Sequence, residues 1–212
     1  MSSRRGSHEP VVLTIGHSNR SLEAFLKLLR AHGVERVVDV RTIPRSRHNP
    51  QFNRETLPLS LRRAGIGYLH IGGLGGLRRA RPDSLNLGWH NASFRGFADY
   101  MQGAEFEIAL NRLMKVAREK RVALMCAEAV PWRCHRSLIA DALIVRGLGV
   151  EHITNLPHTH PHALTPFARV SRMRITYPAD NLVSAKGEER STDHLDASPT
   201  QSRRRDAERR RR

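Results

Sequence analysis

The sequence predicts an α/β protein, a three-layer α/β/α sandwich built on a mostly parallel, Rossmann-like sheet of about five strands. Two observations favour this fold class. Short runs of apolar and β-branched residues alternate along the chain with segments whose apolar residues recur at helical spacing. Most of the short runs are apolar throughout, which is typical of parallel strands covered by helices on both faces.

The first predicted unit is a strand, a helix and a second strand. Residues 11–15 form a continuous apolar run, and residues 37–40 form the next, interrupted by Asp39. Between them, Ser21 stands where a helix N-cap is expected and Gly33 stands where the helix ends. This order predicts two parallel strands joined by a right-handed crossover.

The same alternation continues to residue 154. Two stretches with neither helical nor strand spacing, residues 42–53 and 72–91, follow the second and third strands, and loops in that position often carry function. The remaining predicted elements are helix 55–64, strand 66–71, helix 94–101, helix 106–117, strand 122–125, helix 138–145 and strand 150–154.

The length of 212 residues suits one domain and is short for two. We expect a disordered segment at residues 1–10, a single α/β domain at residues 11–170 and a disordered basic tail at residues 171–212. The tail is rich in Ser, Asp and Arg and has few large apolar residues with which to offset its ordering entropy. Residues 158–162 are expected to form an exposed linker.

The formal net charge of +16 points to an anionic partner, and residues 171–212 contribute only +4 of it. Arginine supplies most of the excess, and its planar guanidinium suits phosphate or carboxylate. The expected partner is a small anionic substrate or a nucleotide, with nucleic acid possible through the basic surface and tail. An arginine-rich composition without any specific partner is the alternative.

Several protein classes are disfavoured. No apolar run approaches the roughly 18 to 20 residues that cross a bilayer, and no signal-peptide pattern is present. Two cysteines do not suggest a disulfide framework, so we expect a cytoplasmic protein with free thiols. Residues 72–76 match neither a Walker loop nor a dinucleotide fingerprint, and no cofactor is indicated.

The strongest candidate site combines Cys126-Ala127-Glu128 with Cys134-His135-Arg136. The first motif follows a predicted strand and the second begins a predicted helix, where the helix dipole favours anions and thiolates. We expect Cys126 to be the nucleophile, His135 or His17 to carry a proton, and Glu128 to act as a base or to orient an arginine.

Other strand ends are expected to face the same crevice, because the carboxyl ends of parallel strands meet at one edge of a sheet. The residues that we expect to bind the substrate there are Asn19, Asp39, Arg41, Arg45 and Arg136. The alternative for Asp39 is a structural contact with Arg41, and the alternative for His17 is a satisfied histidine in a tight turn.

Three other functions stay open. Cys126, Cys134, His135 and a distant histidine such as His17 could form a zinc site, but adjacent Cys134 and His135 are expected to point in different directions, so no metal is predicted. The two cysteines could form a redox pair if their Cα atoms lie within about 7 Å. The basic crevice could also bind nucleic acid or nucleotide without turnover.

Several short motifs follow one another in a fixed order along the chain. They are Thr14-Ile-Gly-His-Ser-Asn19, Val38-Asp-Val-Arg41, Pro44-Arg-Ser46, Tyr68-Leu-His70, Leu74-Gly-Gly76, Tyr100-Met101, Cys126-Ala-Glu128 and Cys134-His-Arg136. Together they resemble Domain of Unknown Function family 488, a group without an assigned activity. The resemblance covers roughly residues 11–155 and implies little about function.

The strand, cysteine, loop and helix order around Cys126 is also similar to the rhodanese and cysteine-phosphatase arrangement, in which a loop of backbone amides holds sulfur or phosphate. Those loops usually place an arginine about six residues after the cysteine. Here Trp132 occupies that position, Arg133 follows it, and Pro131 lies within the loop. The resemblance therefore favours an anion-binding loop more than a nucleophilic role for Cys126.

Overall fold

The computed structural model of the protein describes residues 11–179. The predicted disordered segment 1–10 and most of the predicted tail lie outside the described residues. Within this range, no helix has the length and apolar content needed to cross a membrane. In chain order the elements are β1 (Val11–Gly16), α1 (Leu22–Ala31), β2 (Arg36–Asp39), α2 (Leu57–Arg63), β3 (Gly67–His70), α3 (Ala92–Tyr100), α4 (Ala104–Glu119), β4 (Val122–Cys126), α5 (Arg136–Ile144), β5 (Gly149–Ile153), β6 (Thr159–Pro161), β7 (Arg169–Ser171) and β8 (Arg174–Thr176).

The main sheet has six strands in the order β3-β2-β4-β1-β5-β6. Its first five strands are parallel, and β6 pairs with β5 in the antiparallel direction. The predicted mostly parallel sheet is confirmed, with one more strand than expected. Strand β1 lies between β4 and β5, so its carboxyl end meets both the loop after β4 and the strand that follows α5.

Two apolar cores cover the two faces of the sheet, which confirms the three-layer sandwich. Along β1, Leu13 and Ile15 pack with α1 and α2, whereas Val12 packs with α3, α4 and α5. Along β4, Leu124 and Met125 alternate in the same way. Side chains on successive strand residues point to opposite faces, so strands that are apolar throughout supply both cores.

The predicted helix ends of the first unit are also found. The Ser21 side chain accepts a hydrogen bond from the backbone N–H of Ala24, which caps α1. At the other end, Gly33 adopts a φ of +62°, the left-handed conformation that lets the chain leave the helix towards β2.

The folded chain extends past residue 170, the predicted end of the domain. The hairpin of β7 and β8 is followed by Tyr177, whose side chain is fully buried. The exposed linker expected at residues 158–162 is instead the edge strand β6 and its continuation, in which His162 donates or accepts hydrogen bonds on both ring nitrogens. The histidine-rich composition of this segment concealed its pairing with β5.

The close contact between the end of β1 and the loop after β4 positions the candidate site. The backbone N–H groups of His17 and Ser18 donate to the carbonyls of Cys126 and Ala127, each at 2.9 Å. A Cβ atom on Gly16 would overlap with the backbone of residues 128 and 129, so only glycine allows this close approach.

Replacing Gly16 by alanine tests this constraint. We expect Gly16→Ala to lower the free energy of unfolding by about 1–3 kcal/mol, because the loop after β4 must move away from β1. Urea unfolding measures the change. Gly149→Ala is the matched control, since a Cβ there would make only an ordinary contact of 3.4 Å with Val11. Equal stability of the two variants would contradict the account.

Candidate functional site

A cavity of about 400 Å³ opens at the carboxyl ends of β2 and β4. It holds both cysteines together with an imidazole and several arginines. A larger cavity of about 870 Å³ lies beside the β7–β8 hairpin, but its lining contains neither cysteine nor histidine. The smaller cavity is therefore the candidate site. Its lining residues are Arg41, Thr42, Ile43, Arg45, Gly76, Leu77, Ser93, Phe94, Cys126, Ala127, Glu128, Arg133, Cys134 and His135.

The two cysteines lie side by side at the floor of this cavity. Cys126 ends β4 and is 9% exposed, and Cys134 precedes α5 and is 4% exposed. Their sulfur atoms and a ring nitrogen of His135 all lie within 4.8 Å of one another. Both thiols are free. The sequence motifs, eight positions apart, thus form one cluster.

The two thiols differ in acidity. A hydrogen bond from the Cys126 thiol, with His135 and Arg136 close by, lowers the pKa of Cys134 well below its ordinary value. The same hydrogen bond raises the pKa of Cys126, and burial raises it further. Cys126 is the expected nucleophile, whereas the directions of the two pKa shifts favour the thiolate at Cys134.

His135 points towards Cys134 and not away from it, contrary to the expectation for adjacent residues. Its Nδ1 atom lies 3.6 Å from the Cys134 sulfur, and its Nε2 atom lies 3.1 Å from the Val40 carbonyl oxygen. Both ring nitrogens therefore have a hydrogen-bond partner, which fixes the orientation of the imidazole. Gly76 lies against the ring, and a Cβ there would collide with Nδ1.

Arg136 lies behind the cysteines and is 1% exposed. Its Nε–H donates to the Cys134 sulfur at 3.4 Å, and its NH2 group donates to the Glu128 carbonyl. No ion pair joins it to a carboxylate among the described residues. A buried cation is stabilised by a neighbouring negative charge, and among its partners the Cys134 sulfur is the group that can ionise.

Asp39, Arg41 and His17 form a second buried group next to the cavity. Arg41 donates to both Asp39 oxygens, at 2.9 and 2.7 Å, and to the Phe52 carbonyl at 2.7 Å. The His17 ring stacks on Phe52, its Nδ1–H donates to Ser18, and burial lowers the pKa of His17 to about 4. A neutral His17 accepts from Arg41 at 3.3 Å through Nε2, so it orients that arginine and stays uncharged at neutral pH.

The other expected site residues separate into two groups. Arg45 and Glu128 are exposed and line the cavity wall. The Glu128 carboxylate accepts a hydrogen bond from the backbone of Val130, so it holds the loop after β4. Asn19 is exposed on the β1 side and does not line the cavity. The structure thus brings together the Cys, His and Arg residues of the two motifs and leaves Asn19 outside.

The acidity difference predicts which thiol reacts. We expect iodoacetamide to alkylate Cys134 first, with a pH midpoint well below the value of about 8.5 of an ordinary thiol, because the folded protein favours its thiolate. As the pH falls from about 8.5, the alkylation rate of Cys134 should stay constant until the pH reaches the lowered pKa of that thiol. Mass spectrometry of peptides after timed alkylation measures both sites.

Two variants and one control define the outcome of that alkylation. Cys126→Ala should raise the pH midpoint of Cys134, because the hydrogen bond to the thiolate is lost. Cys134→Ser should leave only slow alkylation, whereas urea-unfolded protein should react equally at both sites. Equal, slow reaction of both thiols in the folded protein, with midpoints near about 8.5, would contradict the assignment.

Comparison with known proteins adds the family to this geometry. No curated protein and no solved structure matches the chain. One family model, described as Domain of unknown function DUF488, matches residues 21–143, which is more than half of the chain. That range includes Asp39, Arg41 and both cysteine motifs. The chain therefore belongs to the DUF488 family, a domain family of unknown function.

Proposed function

We propose that this protein is an enzyme that binds a small anionic substrate in the cavity and attacks it with the Cys134 thiolate. One observation carries the proposal: the Cys134 sulfur faces a buried guanidinium and an imidazole while it lines an open, arginine-rich cavity. A thiol that served only the core would not need these partners. The free thiols suit the reducing cytoplasm, which we propose as its location.

The cavity wall supports an anionic substrate. Arg45 and Arg133 are exposed on it, and neither forms an ion pair with a carboxylate in the described part of the chain. Their guanidinium groups are free to hold phosphate or carboxylate oxygens in a bidentate manner. Arg41 also lines the cavity and adds positive charge, but most of its N–H groups already donate to Asp39 and to the Phe52 carbonyl. We assign substrate binding to Arg45 and Arg133 for this reason.

The proposed reaction is a nucleophilic displacement by the Cys134 sulfur. The Cys134 thiolate donates an electron pair to form a bond with the electrophilic atom of the substrate, and the bond from that atom to the leaving group breaks. The leaving group takes the electron pair of the broken bond and accepts the proton held by His135. A water molecule or second acceptor then displaces the sulfur, His135 takes up the proton of the attacking group, and the thiolate is restored beside Arg136.

Alkylation by an anionic reagent tests both parts of this proposal. Iodoacetate and iodoacetamide react by the same chemistry, but only iodoacetate carries a negative charge. We expect iodoacetate to alkylate Cys134 faster than iodoacetamide does, with a rate that saturates with concentration and falls when inorganic phosphate is added. The combined variant Arg45→Gln, Arg133→Gln should reduce the iodoacetate rate by about tenfold, because the local concentration of the anion falls.

The matched control is Arg62→Gln on α2, an exposed arginine away from the cavity. It should leave both rates unchanged, and the iodoacetamide rate should change little in every arginine variant. Faster reaction with iodoacetamide than with iodoacetate, together with no effect of phosphate, would rule out an anion site at Cys134.

A specific observation also favours a second candidate function, a metal centre of Cys126, Cys134 and His135. The 3.6 Å between His135 Nδ1 and the Cys134 sulfur equals the span of about 3.6 Å that tetrahedral zinc gives between a nitrogen and a sulfur ligand. The His135 Nε2–H donates to the Val40 carbonyl, a partner that metal-binding histidines usually have. Three protein ligands would leave one position open to the cavity.

Metal binding and thiolate catalysis predict different results with cobalt. In a metal centre, Co²⁺ should bind once per chain with a thiolate-to-cobalt absorption band, which Cys126→Ser, Cys134→Ser and His135→Gln should each remove. Zn²⁺ should then block alkylation of both cysteines. Failure to bind Co²⁺ stoichiometrically in reduced protein would exclude the metal centre and leave the thiolate enzyme.

A further inference from the structure

Arg136 and Asp141 are two buried, oppositely charged residues on the same helix. Arg136 is 1% exposed and Asp141 is fully buried. They lie five positions apart on α5, about 7.5 Å along the helix axis, so they do not touch. Neither is paired with a carboxylate, Lys or other Arg among residues 11–179. Each of these buried charges therefore depends on hydrogen bonds for compensation.

An unbroken series of hydrogen bonds joins them. The Arg136 NH1 group lies 3.4 Å from Thr14 Oγ1, which lies 2.7 Å from His152 Nδ1. His152 Nε2 lies 3.0 Å from His162 Nδ1, and His162 Nε2 lies 2.8 Å from Asp141 Oδ1. We call these five residues the buried hydrogen-bond chain.

With neutral imidazoles, the donors in the buried hydrogen-bond chain all point the same way. Arg136 can only donate, so Thr14 accepts from it and can turn its own O–H towards His152. His152 then donates from Nε2 to His162, which donates from Nε2 to the Asp141 carboxylate. Burial lowers the pKa of His152 to about 4, which favours the neutral form of that ring. In this arrangement each link fixes the orientation of the next.

The carboxylate end of the buried hydrogen-bond chain is firmly held. Besides His162, Asp141 accepts from the Thr165 backbone at 3.0 Å, the Thr165 hydroxyl at 2.7 Å and the Tyr177 hydroxyl at 2.8 Å. Four donors fill both oxygens of an ionised carboxylate. The Thr14 end is fixed by strand register, since Thr14 lies directly opposite His152 in the β1–β5 pairing.

We propose that Thr14, His152, His162 and Asp141 are positioning residues that hold the Arg136 guanidinium so that its Nε–H points at the Cys134 sulfur. The inference rests on the proposed role of Cys134 and extends it to a new set of residues. Thr14, His152 and His162 lie outside residues 21–143, the range that the family model matches. The strands β5 and β6 and the segment up to Tyr177 are therefore functional parts of the site.

Removal of one hydroxyl group tests the proposal. Thr14→Val keeps the shape of the side chain but cannot accept from Arg136 or donate to His152. The pH dependence of Cys134 alkylation by iodoacetamide should shift upward by about one unit, which lowers the rate at low pH about tenfold. Thr14→Ser retains the hydroxyl and should behave as the parent protein. Urea unfolding of each variant shows that it is folded.

A second variant breaks the buried hydrogen-bond chain at its far end. Asp141→Asn removes the charge but keeps the volume, and it should also raise the pH midpoint, although no atom of Asp141 contacts the cysteines. A residue that served folding alone would change the unfolding midpoint and leave the alkylation pH profile unchanged.

The possible results separate the two proposals. An ordinary thiol pKa for Cys134 in the parent protein would overturn the thiolate enzyme. A lowered pKa in the parent that persists in folded Thr14→Val would overturn only the role of the buried hydrogen-bond chain. A shift of the same size in Thr14→Ser would also overturn it, because the hydroxyl would then be irrelevant. A shift in Thr14→Val that Thr14→Ser does not show supports both.

Discussion

The buried positive charge of Arg136 is the constraint on which the arrangement of this protein depends. A guanidinium that is 1% exposed must be compensated and must have its N–H groups satisfied. Carbonyls of the loop after β4, the Thr14 hydroxyl and the Cys134 sulfur fill these donors. The requirement fixes the loop, aligns α5 with β1 and makes a thiolate at Cys134 favourable. The buried charge of Arg136 therefore accounts for the position of the loop after β4 and also favours the proposed thiolate.

The arginines of this basic protein divide by burial. Arg41 and Arg136 are buried; Asp39 and His17 hold Arg41 in place, and in our proposal the buried hydrogen-bond chain does the same for Arg136. Arg45 and Arg133 are exposed on the cavity wall, where guanidinium groups are available to a ligand. The net charge alone does not distinguish these roles, since it counts a structural arginine and a binding arginine equally.

The two free thiols lie where the end of β4 in the sheet meets the start of α5. Cys126 is set by the sheet, because it ends β4 beside Gly16 of β1. Cys134 and His135 are set by the entry to α5, and His135 is further held by the Val40 carbonyl after β2. The cluster thus combines one side chain from the sheet with two from the entry to α5. A cluster held by hydrogen bonds from separate elements suits either a preorganised nucleophile or a metal ligand set.

Local spacing and the geometry of parallel strands were enough to predict the parallel sheet, the layers, the ends of α1 and the meeting of the two cysteine motifs. They did not predict the difference in acidity between the two thiols, the contacts of Asp39 and His17 with Arg41, or the pairing of residues 159–161 with β5. Those features depend on contacts between residues far apart in the chain, such as Thr14 with His152 and Arg136. They became visible in the folded chain, since burial and hydrogen-bond partners set the pKa of a side chain.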